Sequence, residues 1–247
     1  MWQLIRRLAR KSRPPQPEVT VLMATLNAKR LVEATIASVL SQQGVRVEMI
    51  VCDGLSSDGT LEALAAYGDR IQIHSRADQG VYDALNHGTA LAKGRFIMIL
   101  GAGDRLREGV LKSLLLHAPT GRHPLIYGDV FMEDLDRRYG GAWTAERFRK
   151  ENLCQQGILY ERGIFSLLGG FQLKYPILAD YAFNIQCFGH RSIQCVYVNE
   201  IVADYLGDGL SANNRDEAFM EDRAMLVHQH LGLPLKPSKP RTNEAPA

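Results

Sequence analysis

Four polar side chains follow apolar runs in the first half of the chain: Asn27, Asp53, Asp78 and Asp104. Asp104 closes the run Phe96-Ile-Met-Ile-Leu100-Gly-Ala-Gly-Asp104, whose five consecutive apolar residues predict a strand buried on both faces. A carboxylate behind two glycines at the end of such a strand lies at the carboxyl edge of a sheet, where open α/β folds bind ligands. The same segment also reads as a plain turn, with Asp104 capping the next helix. Asp53 opens Asp-Gly-Leu-Ser-Ser-Asp-Gly-Thr60, a stretch of turn formers able to cap a helix at Thr60. Asp78 opens a segment in which Tyr82, Asp83 and Asn86 share one side of a helix, as a binding face or a solvated one. Several acids gathered without matching basic residues suit a cation or a polyhydroxylated ligand.

The second half holds a fifth candidate. Asp180 lies in Tyr175-Pro-Ile-Leu-Ala-Asp180-Tyr-Ala-Phe, where an ionised carboxylate is costly unless it is paired or used. It also reads as a helix N-cap before Tyr181. Asp129 is a weaker candidate, equally readable as a satisfied acid at a strand edge. Gln155 and Gln156 precede an apolar strand and suit hydroxyl recognition. Trp143 reads first as core and second as a sugar-stacking platform. The seven histidines show no metal-ligand spacing, and His228 and His230 diverge on a helix.

The elements that must position these groups alternate. Strands are expected at Val19–Thr25, Val47–Asp53, Ile71–Ser75 and Phe96–Leu100. Helices are expected at Ala28–Gln42, Thr60–Tyr67 and Val81–Ala92. That order predicts a mostly parallel sheet covered by helices on both faces. Farther on, strands are expected at Leu125–Met132, Gln156–Tyr160 and Ile193–Val198. Helices are expected before Gly169-Gly170, at Asp180–Phe188 and at Glu217–Leu231. The organisation reads as a basic arm (1–17), one α/β domain (18–212), a C-terminal helix (213–232) and a proline-rich disordered tail (233–247).

The 247 residues are 46% hydrophobic and 23% charged, enough for a large core. A net charge of +2 does not mark a nucleic-acid binder. Residues 1–13 nevertheless hold Arg6, Arg7, Arg10, Lys11 and Arg13 beside Trp2, Leu4, Ile5 and Leu8. This reads as an amphipathic helix lying on an anionic membrane surface, as a disordered arm or as an organelle-targeting peptide, ended by Pro14, Pro15 and Pro17. Four scattered cysteines form no Cys-x-x-Cys pair and read as small core side chains. No segment is long and apolar enough to span a bilayer or to serve as a signal peptide. A cytoplasmic protein is expected, at most peripheral on the cytoplasmic face of a membrane. The first βα turn, Thr25-Leu-Asn-Ala-Lys-Arg30, lacks both the phosphate-loop and the dinucleotide glycine patterns, which argues against nucleotidyl and hydride transfer.

Taken in order, these pieces resemble family 2 glycosyltransferases of the GT-A fold. The resemblance rests on Val19–Asn27, on Asp53-Gly-Leu-Ser-Ser-Asp58-Gly-Thr60, on Asp78-Gln-Gly80-Val-Tyr82-Asp83-Ala-Leu-Asn86 and on Leu100-Gly-Ala-Gly-Asp104. It continues through Gln155–Arg162, Gly169-Gly-Phe171, Leu178-Ala-Asp180-Tyr181 and Asp208-Gly-Leu-Ser211. What it implies is an inverting enzyme that takes a sugar from a nucleotide-diphosphate donor, UDP-linked. The acceptor would be a hydroxyl of a saccharide or lipid-linked saccharide. Thr25 and Asn27 would lie by the nucleoside, Asp53 on the base, and Asp78, Tyr82 and Asn86 along the same donor pocket. Asp104 would bind the donor through a divalent cation, Mg²⁺ or Mn²⁺, and Asp180 would be the catalytic base. Gly103 departs from the family, which often has an acid there, and Gly101 stands where Asn or Asp is common. That departure leaves a second reading, a catalytically weak nucleotide-sugar-binding or partner subunit.

Overall fold

The computed structural model describes residues 16–121, 123–207 and 215–235. The basic stretch 1–13, the glycine–serine motif at 208–211 and the tail beyond Leu235 lie outside the described residues.

Strand β1 (Val19–Thr25) is followed by helix α1 (Val32–Leu40), β2 (Val47–Asp53), α2 (Thr60–Ala65), β3 (Gln72–Ser75), α3 (Val81–Leu91) and β4 (Phe96–Leu100). All four strands run parallel, in the order β3-β2-β1-β4. The expected bounds of β1, β2 and β4 are reproduced residue for residue. Helix α1 starts later than its apolar pattern suggests. The turn before it is held from outside: the Ala28 and Lys29 amides donate to Thr60 Oγ1 and Asp58 Oδ2. These amides therefore bond across to the 53–60 loop rather than starting the helix.

The second half adds β5 (Arg105–Leu106), α4 (Val110–Leu116), β6 (His123–Met132), β7 (Arg137–Tyr139), β8 (Ile158–Glu161), α5 (Gly163–Leu168), α6 (Ala179–Gly189), β9 (Ile193–Tyr205) and α7 (Glu217–Leu231). The sheet continues past β4 as β8-β6-β9-β5, with β7 paired to β6. Here β8 is antiparallel to both β4 and β6, while β6 and β9 run parallel. Strand β9 runs well beyond the expected Val198. A register shift opposite Tyr127–Val130 absorbs the polar pair Asn199-Glu200, and Val202 and Ala203 return to the core.

Alternation along β1 explains the two layers. Val19, Val21 and Met23 face one core with Val32, Ile36, Leu64, Val110 and Leu114, so α1, α2 and α4 cover that face. Leu22 faces the other core with Leu85, Ile164, Phe183 and Phe219, so α3, α5, α6 and α7 cover the second face. Each fully buried aliphatic side chain contributes about 1.5–3 kcal/mol. The chain enters the sheet at Val19, on the edge opposite the carboxyl ends of the parallel strands.

Candidate active site

Strand β1 has β2 on one side and β4 on the other, so the strand order reverses between β1 and β4. Open α/β sheets bind ligands in the crevice outside such a point. A cleft of about 690 Å³ opens there, an ordinary size for a small-molecule site. Thr25 and Leu26 line it from the end of β1, and Leu100, Gly101, Ala102 and Asp104 from the end of β4. Tyr82 comes from α3, Asp180 from α6, and Phe219, Met220 and Arg223 from α7. Lys150, Asn152, Gln155 and Gln156 complete the wall. A second hollow of about 610 Å³ lies at the opposite edge of the sheet. Arg95, Arg191 and the His123–Glu161 pair line it; both arginines are exposed, and Glu161, the acid in its lining, is only half-buried.

Asp104 is buried and folds back over its own turn. Its carboxylate accepts from the Gly101 amide (2.9 Å), Gln156 Nε2 (2.9 Å) and the Leu206 amide (3.1 Å). The glycines make this possible. A Cβ at Gly101 would lie 2.8 Å from Asp104 Oδ2. Gly103 has φ +103°, and a Cβ there would lie 2.7 Å from the Leu206 side chain. An acid at position 103 would be both strained and crowded, which accounts physically for this chain's departure from the family pattern.

Asp180 is the second residue of α6; Leu178 is the N-cap, so the capping role does not hold. Asp180 Oδ1 accepts from the Tyr82 hydroxyl (2.7 Å) and Oδ2 from Asn152 Nδ2 (2.6 Å). Burial pushes its carboxyl above the ordinary range, although these two hydrogen bonds pull the other way. Behind Asn152 the chain of bonds has a fixed direction. Asn184, fully buried, donates to the Leu153 carbonyl and to Asn152 Oδ1, and accepts from the Tyr160 hydroxyl at 2.8 Å. A carbonyl only accepts, so Asn184 presents its NH₂ there, and Asn152 turns its oxygen inward and its NH₂ to Asp180. The start of α6 is held by Asp216, buried, which accepts from the Ile177 and Leu178 amides (2.9 Å each) and from the Phe219 amide at the start of α7. Asn152, Asn184 and Asp216 carry no local sequence signal that singles them out, apart from Asp216 as a capping residue before an apolar run.

The remaining candidates divide. Thr25 lines the cleft and donates to Asp53 Oδ1 at 3.3 Å. Asp53 is buried behind it and also accepts from Ser56 Oγ (2.5 Å), the Ser56 amide (3.0 Å) and Ser75 Oγ (2.9 Å). Burial pushes its carboxyl up, but these donors outweigh it and hold it below the usual range. Asn27, at φ +51°, braces the same loop through Ser56 and Ser57. Asp78 accepts from the Gly80 amide at 2.9 Å. Asn86 points away from the cleft, both donating to and accepting from the Phe171 backbone at 2.8 Å. Asp129 is a clamp on the β6–β7 hairpin, bonded to Arg138, Tyr197 and the Gly141 amide. Trp143 is buried in the core, with Arg147 3.5 Å above its ring.

Among the described residues no three His, Cys, Asp or Glu side chains gather to hold a metal. At the end of β4 the cleft offers one carboxylate, Asp104; its other acid, Asp180, comes from α6. One carboxylate at the strand end fits a small divalent cation that takes its other ligands from phosphate oxygens and water rather than from a protein cage.

Solved structures share this architecture. S. aureus TarS 1-349 in complex with UDP superimposes with TM-score 0.66 at 13% identity, over 87% of this chain and 65% of that one. The same protein in complex with UDP-GlcNAc gives 0.68. A mannosyltransferase from Pyrobaculum calidifontis in complex with GDP-Man and Mn²⁺ gives 0.61 at 18% identity, over 94% and 69% of the two chains. These are GT-A folds. In sequence, a PGL/p-HBAD biosynthesis glycosyltransferase of Mycobacterium bovis is 37% identical over 89% of this chain and 88% of its own length. The succinoglycan biosynthesis protein ExoO of Rhizobium meliloti is 31% identical over 49% of this chain and 36% of its own. The profile of Glycosyl transferase family 2 matches residues 20–168. With the reversal point, the acid-bearing cleft and these relatives in agreement, the chain is a glycosyltransferase and belongs to family 2.

Proposed function

We propose that this enzyme moves a sugar, with inversion, from a nucleotide-diphosphate donor to a hydroxyl of a saccharide or lipid-linked saccharide. UDP is the first nucleotide to test and GDP the second. The observation that carries this reading is a pair of buried acids in one cleft with different surroundings. Asp104 is wrapped by backbone amides at the end of β4. Asp180 is held by two side-chain donors, with its carboxyl pushed up by burial. The segment from Asn152 to Gln156 touches both acids, one at each end. Two carboxylates in such different surroundings suit two separate tasks.

In this mechanism Thr25 and the loop braced by Asn27 and Asp53 flank the nucleoside, with Asp78 beside them. Asp104 marks the diphosphate. A divalent cation bound there, Mg²⁺ or Mn²⁺, supplies positive charge against the departing diphosphate. The acceptor oxygen forms its bond to the anomeric carbon from the face opposite the leaving group. The bond from that carbon to the phosphate oxygen breaks, and its electron pair leaves with the diphosphate. Asp180 takes the acceptor's proton. Lys150 and Arg223, which line the same cleft, add positive charge to the wall. Support for a nucleotide-sugar donor comes from the UDP-GlcNAc and GDP-Man held by the fold neighbours.

A thermal-shift panel of UDP- and GDP-linked sugars, with and without Mn²⁺, tests the reading. A donor at a hundredfold over its Kd adds about 2.7 kcal/mol of stability. No shift with any nucleotide or nucleotide sugar would refute it.

A further inference from the structure

The Tyr82 hydroxyl has one proton and two acceptors. The Ile177 carbonyl oxygen lies 2.8 Å away and Asp180 Oδ1 lies 2.7 Å away. Only one can be served at a time. While Asp180 is ionised, a hydroxyl turned to Ile177 would leave two oxygen lone pairs facing each other at 2.7 Å. The proton therefore belongs on Oδ1. Once Asp180 is protonated, the preference reverses: Oδ1–H donates to the Tyr82 oxygen and Tyr82 donates to Ile177. Every group stays paired in both states, and the change is a rotation about one C–O bond.

Oδ2 has no such freedom. Its partner is the Asn152 amide, whose direction is anchored through Asn184 to the Leu153 carbonyl. That amide can donate to the carboxylate but cannot accept from the acid. The other charged and titratable groups around Asp180 include Tyr181 on its own helix, Asp216 on the Ile177 and Leu178 amides, Lys150 and Cys154 beside Asn152, Arg223 on α7, Asp104 after β4, Tyr139 and Tyr205 in the cleft wall, and Tyr160 behind Asn184. Among the described residues only Tyr82 meets the Asp180 side chain through a hydroxyl.

We propose that Tyr82 is the positioning residue that lets Asp180 receive the acceptor's proton on Oδ1, by switching from donor to acceptor as its own proton turns to Ile177. The proton count balances: one proton passes from the acceptor hydroxyl to Oδ1, and Tyr82 keeps its own. This rests on Asp180 being the catalytic base.

Tyr82→Phe tests it, since it keeps the ring against Phe171 and removes only the hydroxyl. The Asp180 carboxyl is followed by ¹³C NMR titration, with Asp180→Asn assigning its signal. Losing a charge-assisted donor should raise the midpoint by about one pH unit. The acid limb of kcat should move with it. If Tyr82→Phe does not fold, 3-fluorotyrosine at position 82, a stronger donor of nearly the same size, should lower the midpoint instead. An unmoved midpoint and pH profile would overturn the proposal. Retained turnover in Asp180→Asn would remove the base assignment and this proposal with it. Lost turnover there, with an unmoved Tyr82→Phe titration, would remove the role of Tyr82 alone.

Discussion

Asp180→Asn is a clean test of a single atom's role because the surroundings accept an amide. Its oxygen can face the Asn152 NH₂, and its NH₂ can face Tyr82, which then donates to Ile177. Transfer should fall at least ~10²-fold, the usual scale for a positioned base, with donor affinity unchanged by calorimetry. The pH dependence of activity and stability should have opposite signs. The base works ionised, so kcat rises as pH climbs through the raised carboxyl pKa. Stability runs the other way: the contribution of neutral Asp180 is complete below the ordinary carboxylate pKa and is lost as pH rises through the raised one. Denaturant midpoints should therefore favour Asp180→Asn over the native enzyme at neutral pH and lose that advantage in acid. For Asp104, Mn²⁺ should tighten nucleoside diphosphate binding in the native enzyme and not in Asp104→Ala. Equal affinity with metal and with chelator in the native enzyme would sink that idea. Both acids were legible in the sequence because each sits where an unpaired charge is costly. Their partners were not, since Tyr82 and Asp180 are 98 residues apart and Asn152 and Asp180 are 28 apart. No local spacing encodes such pairs.

Elements were most legible where one physical rule decides them. Continuous apolar runs set β1, β2 and β4, and the αL glycine at Gly169 ends α5 as expected. They were least legible where tertiary contacts intervene. The pairing of β8 between β4 and β6 reverses its direction, and short β5 and β7 exist through β9 and β6. Helix α4 follows Gly109 at φ +69° and escaped notice because its seven residues hold barely two turns. Asp216 belongs to this scale, because it ties the starts of α6 and α7 together through three backbone amides. Asp216→Ala should cost about 0.5–2 kcal/mol of unfolding free energy, the range for a lost N-cap. Chemical denaturation measures it, and a change below about 0.3 kcal/mol would mean that water replaces the carboxylate fully.

At the scale of the molecule, the cleft and the start of β1 lie at opposite edges of the sheet. The cleft occupies the carboxyl edge, and the chain joins β1 at the opposite edge, where Arg95 and Arg191 are exposed. If residues 1–13 bind anionic bilayers, co-sedimentation with such vesicles should weaken with salt and vanish in a protein starting at Glu18. Equal sedimentation of the two would argue against an anchor. The depth of β1 then acquires a meaning of its own. Its seven residues, at about 3.3 Å each, stand the cleft roughly 23 Å above whatever surface the lower edge touches. An acceptor rooted in that same bilayer must carry its reactive hydroxyl up to this height. The fold would thus work as a ruler, selecting acceptors by the length of the glycan already built between lipid and growing end.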